Sequence, residues 1–142
     1  RIDGLNETIV DIRALAPEAS RRVILDMSQI AHDTIQDGAG RHRGKTGALF
    51  ASIYNRSLGP AARQVGHDTQ RAPHAPFVIH GTQPHKIFPK DKKALRWVVG
   101  NRFVFAKFVN HPGNRADPYI DRAADEAVRQ FAAIVDRAIK GA

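Results

Sequence analysis

Gly100-Asn101 is the step that most restricts what this chain can become. It stands between Leu95-Arg96-Trp97-Val98-Val99 and Arg102-Phe103-Val104-Phe105-Ala106, two runs rich in β-branched and aromatic side chains. Gly and Asn tolerate the positive φ of a two-residue loop, so the flanking runs are expected to pair as a tight antiparallel hairpin. Upstream, Leu49, Ala51 and Ile53 alternate with Phe50, Ser52 and Tyr54, and Leu58-Gly59-Pro60 turns the chain into a second run over 61–66. Between the two hairpins lie the short apolar pieces 77–80 and 87–88, bounded by Pro73, Pro76, Pro84 and Pro89. Proline has no N–H to give to a ladder, so these pieces are expected as edge strands or an extended arm over 73–90.

The two ends carry helical periodicity instead. Leu5, Ile9, Ile12 and Ala16 recur at three- and four-residue spacing, and after Pro17 the stripe resumes as Ile24, Met27, Ala31 and Ile35, widened by Val23 and Ile30. Pro17 suits the first residue of a new helical turn, and the helix is expected to stop at Asp37-Gly38, with glycine in a left-handed cap. Asp117-Pro118 reads as a helix start, followed by the stripe Ile120, Ala124, Ala127, Phe131, Ile134 and Ala138. The fold class is therefore α+β: one mostly antiparallel, twisted sheet flanked by a long N-terminal helix and a C-terminal helix over 117–140. With 142 residues, one domain is expected: a helical region over 1–37, a flexible basic loop over 38–48, a sheet region over 49–113 and the last helix. Five phenylalanines, Phe77, Phe88, Phe103, Phe105 and Phe108, crowd the sheet region. Most are expected to fill the core, since an uncovered aromatic surface would imply an interface.

Charge is distributed unevenly along this frame. The net charge is +8, yet residues 38–113 hold thirteen Lys and Arg against only Asp68 and Asp91, whereas residues 1–37 sum to −3. A positive field so concentrated attracts polyanions, nucleic acid foremost. Neither expected helix is basic, so insertion of a recognition helix into a groove is not expected. There is no apolar run long enough to span a bilayer and no basic-then-apolar leader, so no membrane partner is expected.

Catalytic and cofactor readings find little to stand on. The chain has no cysteine, which removes thiolate nucleophiles, disulfides and cysteine-ligated metals. His67, His74, His80 and His85 lie in a segment with one nearby acid, Asp68, and no His-x3-His pair, so no metal site is expected. A histidine–metal nuclease would follow Asn110-His111 with a further histidine on the last helix, which has none. The run Gly38-Ala39-Gly40-Arg41-His42-Arg43-Gly44-Lys45-Thr46 ends like a phosphate loop, but its first required glycine is Ala39 and a helix precedes it. Ser20, Ser28, Ser52 and Ser57 lack a Gly-x-Ser-x-Gly setting. No cofactor and no enzymatic activity are expected.

Four segments in order carry a family resemblance: Lys45-Thr46-Gly47-Ala48-Leu49; Ala75-Pro76-Phe77-Val78-Ile79-His80-Gly81-Thr82-Gln83-Pro84-His85-Lys86-Ile87; Phe105-Ala106-Lys107-Phe108-Val109-Asn110-His111-Pro112-Gly113; and Ala116-Asp117-Pro118-Tyr119-Ile120. Over about residues 43–135, the chain resembles the tail-completion, or minor tail component, family of long-tailed siphophages. It departs from that pattern at His80, where an acidic residue is frequent, and at Tyr119, where Phe is common. The resemblance implies a non-catalytic virion protein, assembled in the host cytoplasm and placed in the neck at the head–tail junction. There it would form a six-fold homo-oligomeric ring between adjacent neck and tail-tube proteins, with genomic DNA passing through the lumen. Tail terminator and head-side stopper rings are alternatives within that class, and a small sequence-independent DNA-binding protein is the alternative outside it. On this reading Arg41, Arg43, Lys45, Lys86, Lys90, Lys92 and Lys93 are candidates to face the DNA channel through phosphate contacts. Phe77, Gly81, Thr82, His85 and Phe88 are candidates for the subunit interface. His111-Pro112-Gly113 reads as a structural corner, since Pro112 fixes its φ and Gly113 permits a positive one.

Overall fold

The computed structural model describes residues 17–42, 44 and 46–140. The expected stripe over Leu5, Ile9, Ile12 and Ala16 lies outside them, as do Arg43 and Lys45. Helix α1, Pro17–Gly40, has Pro17 as its first residue, where the missing N–H would in any case be unpaired. Its buried positions are Ala19, Val23, Ser28, Ile35, Gly38 and Ala39. Met27 and Ile30 pack against the rim of that stripe, and Ile24 and Ala31 are half-buried.

The helix does not stop at Gly38. None of its residues has a positive φ, and the reason for glycine is spatial: a Cβ at Gly38 would overlap Cβ and Cγ of Tyr119. Gly38 therefore permits close approach of two helices rather than a left-handed cap, and the expected 38–48 loop loses its first three residues to α1.

The chain divides into two compact units, in place of the single domain expected. The first is built from the chain up to Ala75 together with Pro118 onward. In it, a one-turn helix α2, Ala48–Ala51, replaces the start of the expected strand. Gly47 enters it in the left-handed region (φ 62°), Leu49 is buried, and Ser52 closes it through backbone bonds to Ala48 and Leu49. Strands β1, Ile53–Gly59, and β2, Ala62–His67, then pair antiparallel around the Gly59-Pro60 turn, with a bulge between Ser57 and Gly59.

This ribbon is seated on α1 by a polar clasp. Asn55 Nδ2 donates to the carbonyl and the hydroxyl oxygen of buried Ser28, each at 3.2 Å, and Arg63 Nε donates to Asn55 Oδ1 at 2.8 Å.

The last helix is two helices. Helix α4 is Tyr119–Arg129 and helix α5 is Phe131–Lys140, broken at Gln130. Pro118 itself takes the capping position of α4, so Asp117 is not the expected capping carboxylate. The buried stripe is Tyr119, Ala123, Ala127, Ile134 and Ala138, with Phe131 half-buried. Ala127, Ile134 and Ala138 are buried as expected, but at the start Tyr119 and Ala123 take the place of Ile120, which is half-buried, and Ala124, which is exposed. Ala19, Val23, Ile134 and Ala138 form one core cluster, and Tyr119 is the largest fully buried side chain.

The second unit is Pro76–Asp117. Helix α3, Ala75–His80, spans its start, where an extended segment was expected. Pro76 sits in the first turn, a position at which proline favours helix. Strand β3, His85–Ile87, pairs antiparallel with β6, Val109–His111, and Pro84 and Pro89 confine it to three residues. Strands β4, Leu95–Val99, and β5, Arg102–Ala106, form the hairpin expected at Gly100-Asn101, with Gly100 at φ 61°. The α+β class and the antiparallel pairing thus hold, but the strands form three two-stranded ribbons rather than one sheet. Among the described residues, no helix is long and apolar enough to cross a membrane.

Candidate functional site

Two of the sequence segments that carried the family resemblance meet inside the second unit. Thr82 N donates to Asn114 O at 2.9 Å and Asn114 N returns a bond to Thr82 O at 3.1 Å, with Thr82 Oγ1 as an additional acceptor at 2.9 Å. Gly81 (φ 74°) and Gly113 (φ 83°) flank this bridge, each pressed against the opposite backbone. A Cβ at Gly81 would lie 2.7 Å from Asn114 O, and one at Gly113 would overlap Thr82 O. Both glycines are therefore required twice over, by conformation and by space. The clasp continues into β3 and β6, where His85 lies opposite His111 with ring centroids 5.0 Å apart. His85 Nδ1 donates to Gln83 O, and His111 Nδ1 accepts from Gly113 N.

His111-Pro112-Gly113 is accordingly a corner, as expected, but it is locked against residues assigned from sequence to an interface. Gly81 and Thr82 are spent on this internal bridge, and His85 stacks on His111. Of the five interface candidates, Phe77 and Phe88 keep exposed rings.

The phenylalanines expected to fill the core do the opposite. Phe77, Phe88, Phe103, Phe105 and Phe108 are all exposed, together with Val98, Val99 and Trp97. A two-stranded ribbon has only two faces and nothing of its own to bury them against, which is why the pattern of apolar residues overestimated the core. Register decides which side chains share a face. Arg96 lies opposite Phe105 and Val98 opposite Phe103, so these four form one side of the β4–β5 ribbon. Phe103 is 61% exposed, Phe105 64% and Val98 59%, and the Arg96 guanidinium stands 4.8 Å from the Phe103 ring centroid. The other side carries Leu95, Trp97, Val99, Arg102, Val104 and Ala106, of which Leu95, Val104 and Ala106 are half-buried.

The unit as a whole has eight Lys and Arg against Asp91 and Asp117. Lys90 and Lys92 line a cleft of about 510 Å³ with Arg96, Phe105 and Leu95, Lys93 is exposed beside them, and Lys86 Nζ lies 4.8 Å from the Phe108 ring centroid. Three of the second set of channel candidates, Lys86, Lys90 and Lys92, thus lie beside phenylalanine rings.

Arg41 stands elsewhere. In the first unit it borders a cleft of about 380 Å³ that also holds Asp37, Asp125, Glu126, Arg122 and Arg129, a mixed-charge rather than a basic setting.

Sequence reasoning missed one constellation. Ser52 and His67, fifteen residues apart, are joined at 2.8 Å between Oγ and Nδ1, and His67 Nε2 lies 2.9 Å from the Tyr119 hydroxyl. They border an open cleft of about 580 Å³ with Tyr54, Arg56, Asp68 and Arg71. The pair looks like a nucleophile and its base, but the donors run the wrong way. Ser52 Oγ donates its proton to Leu49 O at 2.7 Å, so His67 Nδ1 must donate to Ser52, leaving Nε2 to accept from Tyr119. Activation of a serine needs the reverse. Burial pushes the His67 pKa below its ordinary value, a backbone bond at Leu49 pulls partly back, and His74 adds the smallest, downward contribution. The chemistry of this trio is to hold α2, β2 and α4 together as a neutral chain. Among the described residues, no three His, Asp or Glu converge in a way that could hold a metal ion.

Comparison of the chain with known protein families, with curated proteins and with solved structures finds no match.

Proposed function

We propose that this protein is a ring-forming structural component of the neck of a long-tailed phage, acting in tail completion or head–tail joining. One observation carries the reading: a basic unit that leaves most of its aromatic side chains in water is a surface built to be covered. Obligate assembly subunits have such surfaces, whereas a protein that works alone rarely tolerates them. The resemblance adds support, because Gly81-Thr82 and His111-Pro112-Gly113, far apart in sequence, form one interlocked clasp. Catalysis has no part in the reading. The basic side chains would meet phosphates without regard to sequence, as passage of a genome demands.

The test is electron microscopy of particles made by a phage lacking this gene. Filled heads beside separate tails of normal length are expected. Overlong tails would reassign the ring as a terminator, failure of the heads to retain DNA would make it a head-side stopper, and intact infectious virions would overturn the proposal.

The eight cations of the second unit also favour a second reading, a sequence-independent DNA-binding protein. It requires tight binding of the isolated protein to duplex DNA with a steep salt dependence.

A further inference from the structure

The exposed face of the β4–β5 ribbon has a chemical complement on the same molecule. Helices α4 and α5 turn a continuous stripe away from their core side: Asp121, Asp125, Val128, Ala132, Asp136 and Ile139, all exposed. It lies opposite the buried stripe of Tyr119, Ala123, Ala127, Ile134 and Ala138, so no residue of it is needed for the core. Three acids alternate with two large apolar side chains, Val128 at 63% and Ile139 at 54% exposure. Asp136 is engaged by Lys140 at 2.7 Å. On the flank, Arg129 is held by Glu126 at 2.8 Å and Arg122 borders the mixed-charge cleft with Asp125, so the acidic character of the α4 part rests on Asp121 and Asp125. The ribbon face presents the converse set: Arg96 with Val98, Phe103 and Phe105.

We infer that the Arg96–Val98–Phe103–Phe105 face of one copy docks on the Asp121–Asp125–Val128 stripe of a second copy. Apolar side chains meet at the centre, where removing them from water supplies the driving force. Arg96 meets carboxylates at the edge, where it sets register and rejects a like-charged surface more than it adds affinity. Because the two surfaces differ, the contact is heterologous: each copy offers a ribbon to one neighbour and a stripe to the other, and repetition closes a ring if the rotation allows. A five-residue ribbon is smaller than the roughly 800 Å² per partner of a stable pairwise interface, so assembly should be concentration-dependent and gain from closure. The contact deepens the ring reading above and rests on it only for that closure.

The chain has no cysteine, so introduced thiols report without interference. Val98→Cys and Val128→Cys, both at exposed positions, are prepared as separate full-length proteins, mixed at high concentration and mildly oxidised. With the two proteins in equal amounts, disulfide-linked pairs containing one of each are expected to exceed either self-linked pair by well over the twofold that random pairing gives. Adding Asp125→Arg to the Val128→Cys protein should lower their yield about threefold, as for an exposed ion pair, and Arg96→Asp on the other protein should restore it. Predominance of self-linked Val98→Cys would mean ribbon-on-ribbon contact and overturn the inference. So would the absence of cross-links, a yield indifferent to the charge swap, or protection of Val98→Cys by duplex DNA alone. Mixed cross-links without a phage phenotype, or the phenotype without cross-links, tell failure of the neck reading from failure of this contact.

Discussion

His67 shows how far one side chain can couple acidity to folding. Burial holds its pKa in the folded chain below the ordinary histidine value of 6.5. As pH falls past that value, the unfolded chain takes up the proton first, so stability present above about pH 6.5 drains away until the folded-state pKa is passed. Protonation also turns Nε2 into a donor, which breaks its bond from Tyr119. The melting temperature should therefore fall on acidification, and His67→Gln should show a shallower fall over the same window. An equal slope in thermal melts of the two proteins would remove His67 as the source. Tyr119→Phe keeps the ring but loses the hydroxyl, at a cost of about 1 kcal/mol. Gly38→Ala should cost more, roughly 1–3 kcal/mol, because its methyl group would overlap Tyr119. A denaturant titration showing Gly38→Ala as stable as the parent would mean that α1 and α4 can separate without loss.

At the scale of elements, the interlocked Gly81 and Gly113 should be the least replaceable positions of the second unit. Gly113→Val must adopt a positive φ and push Thr82 aside, so a loss of about 2 kcal/mol or more is expected, read as a lowered melting midpoint. An unchanged midpoint would refute the clasp. The elements differ in how plainly the sequence announced them. Gly100-Asn101 gave its hairpin because a two-residue loop has few solutions. Helix α1 was legible from its stripe and Pro17. The pieces at 49–51 and 77–80 read as extended from their pattern and are helical, since runs of three or four residues are too short to tell alternation from helical spacing. Gly47 and Pro76, each beside the piece it starts, were the signals that could have decided the matter. The C-terminal stripe was legible at Ala127, Ile134 and Ala138, but its start was misplaced by one position, because the adjacent alanines 123 and 124 mark no face. Ser52, His67 and Tyr119 could not have been joined from sequence, since their meeting depends on how α2, β2 and α4 pack. Of the channel candidates, Lys86, Lys90, Lys92 and Lys93 gather on one unit and Arg41 lies on the other, a division that net charge along the chain does not reveal.

At the scale of the whole molecule, charge and exposure concentrate in the second unit, while the first holds the large fully buried side chains. Replacing Lys90, Lys92 and Lys93 together by Ala should leave the melting temperature within a degree or two, since exposed charges contribute little to stability. The same change should reduce retention of DNA in assembled virions, and full retention would exclude these lysines from the lumen. The second unit also begins and ends at one place: Asp117 N donates to Val78 O at 3.1 Å. Its forty-odd residues leave the chain and return to it like a bracketed clause. A piece inserted in this way can lengthen, shorten or be traded for another by a single genetic event without altering the spacing its host must span. On the neck reading proposed above, phage lineages that change their neighbours in the particle could thus vary the contact surface and keep the helical frame.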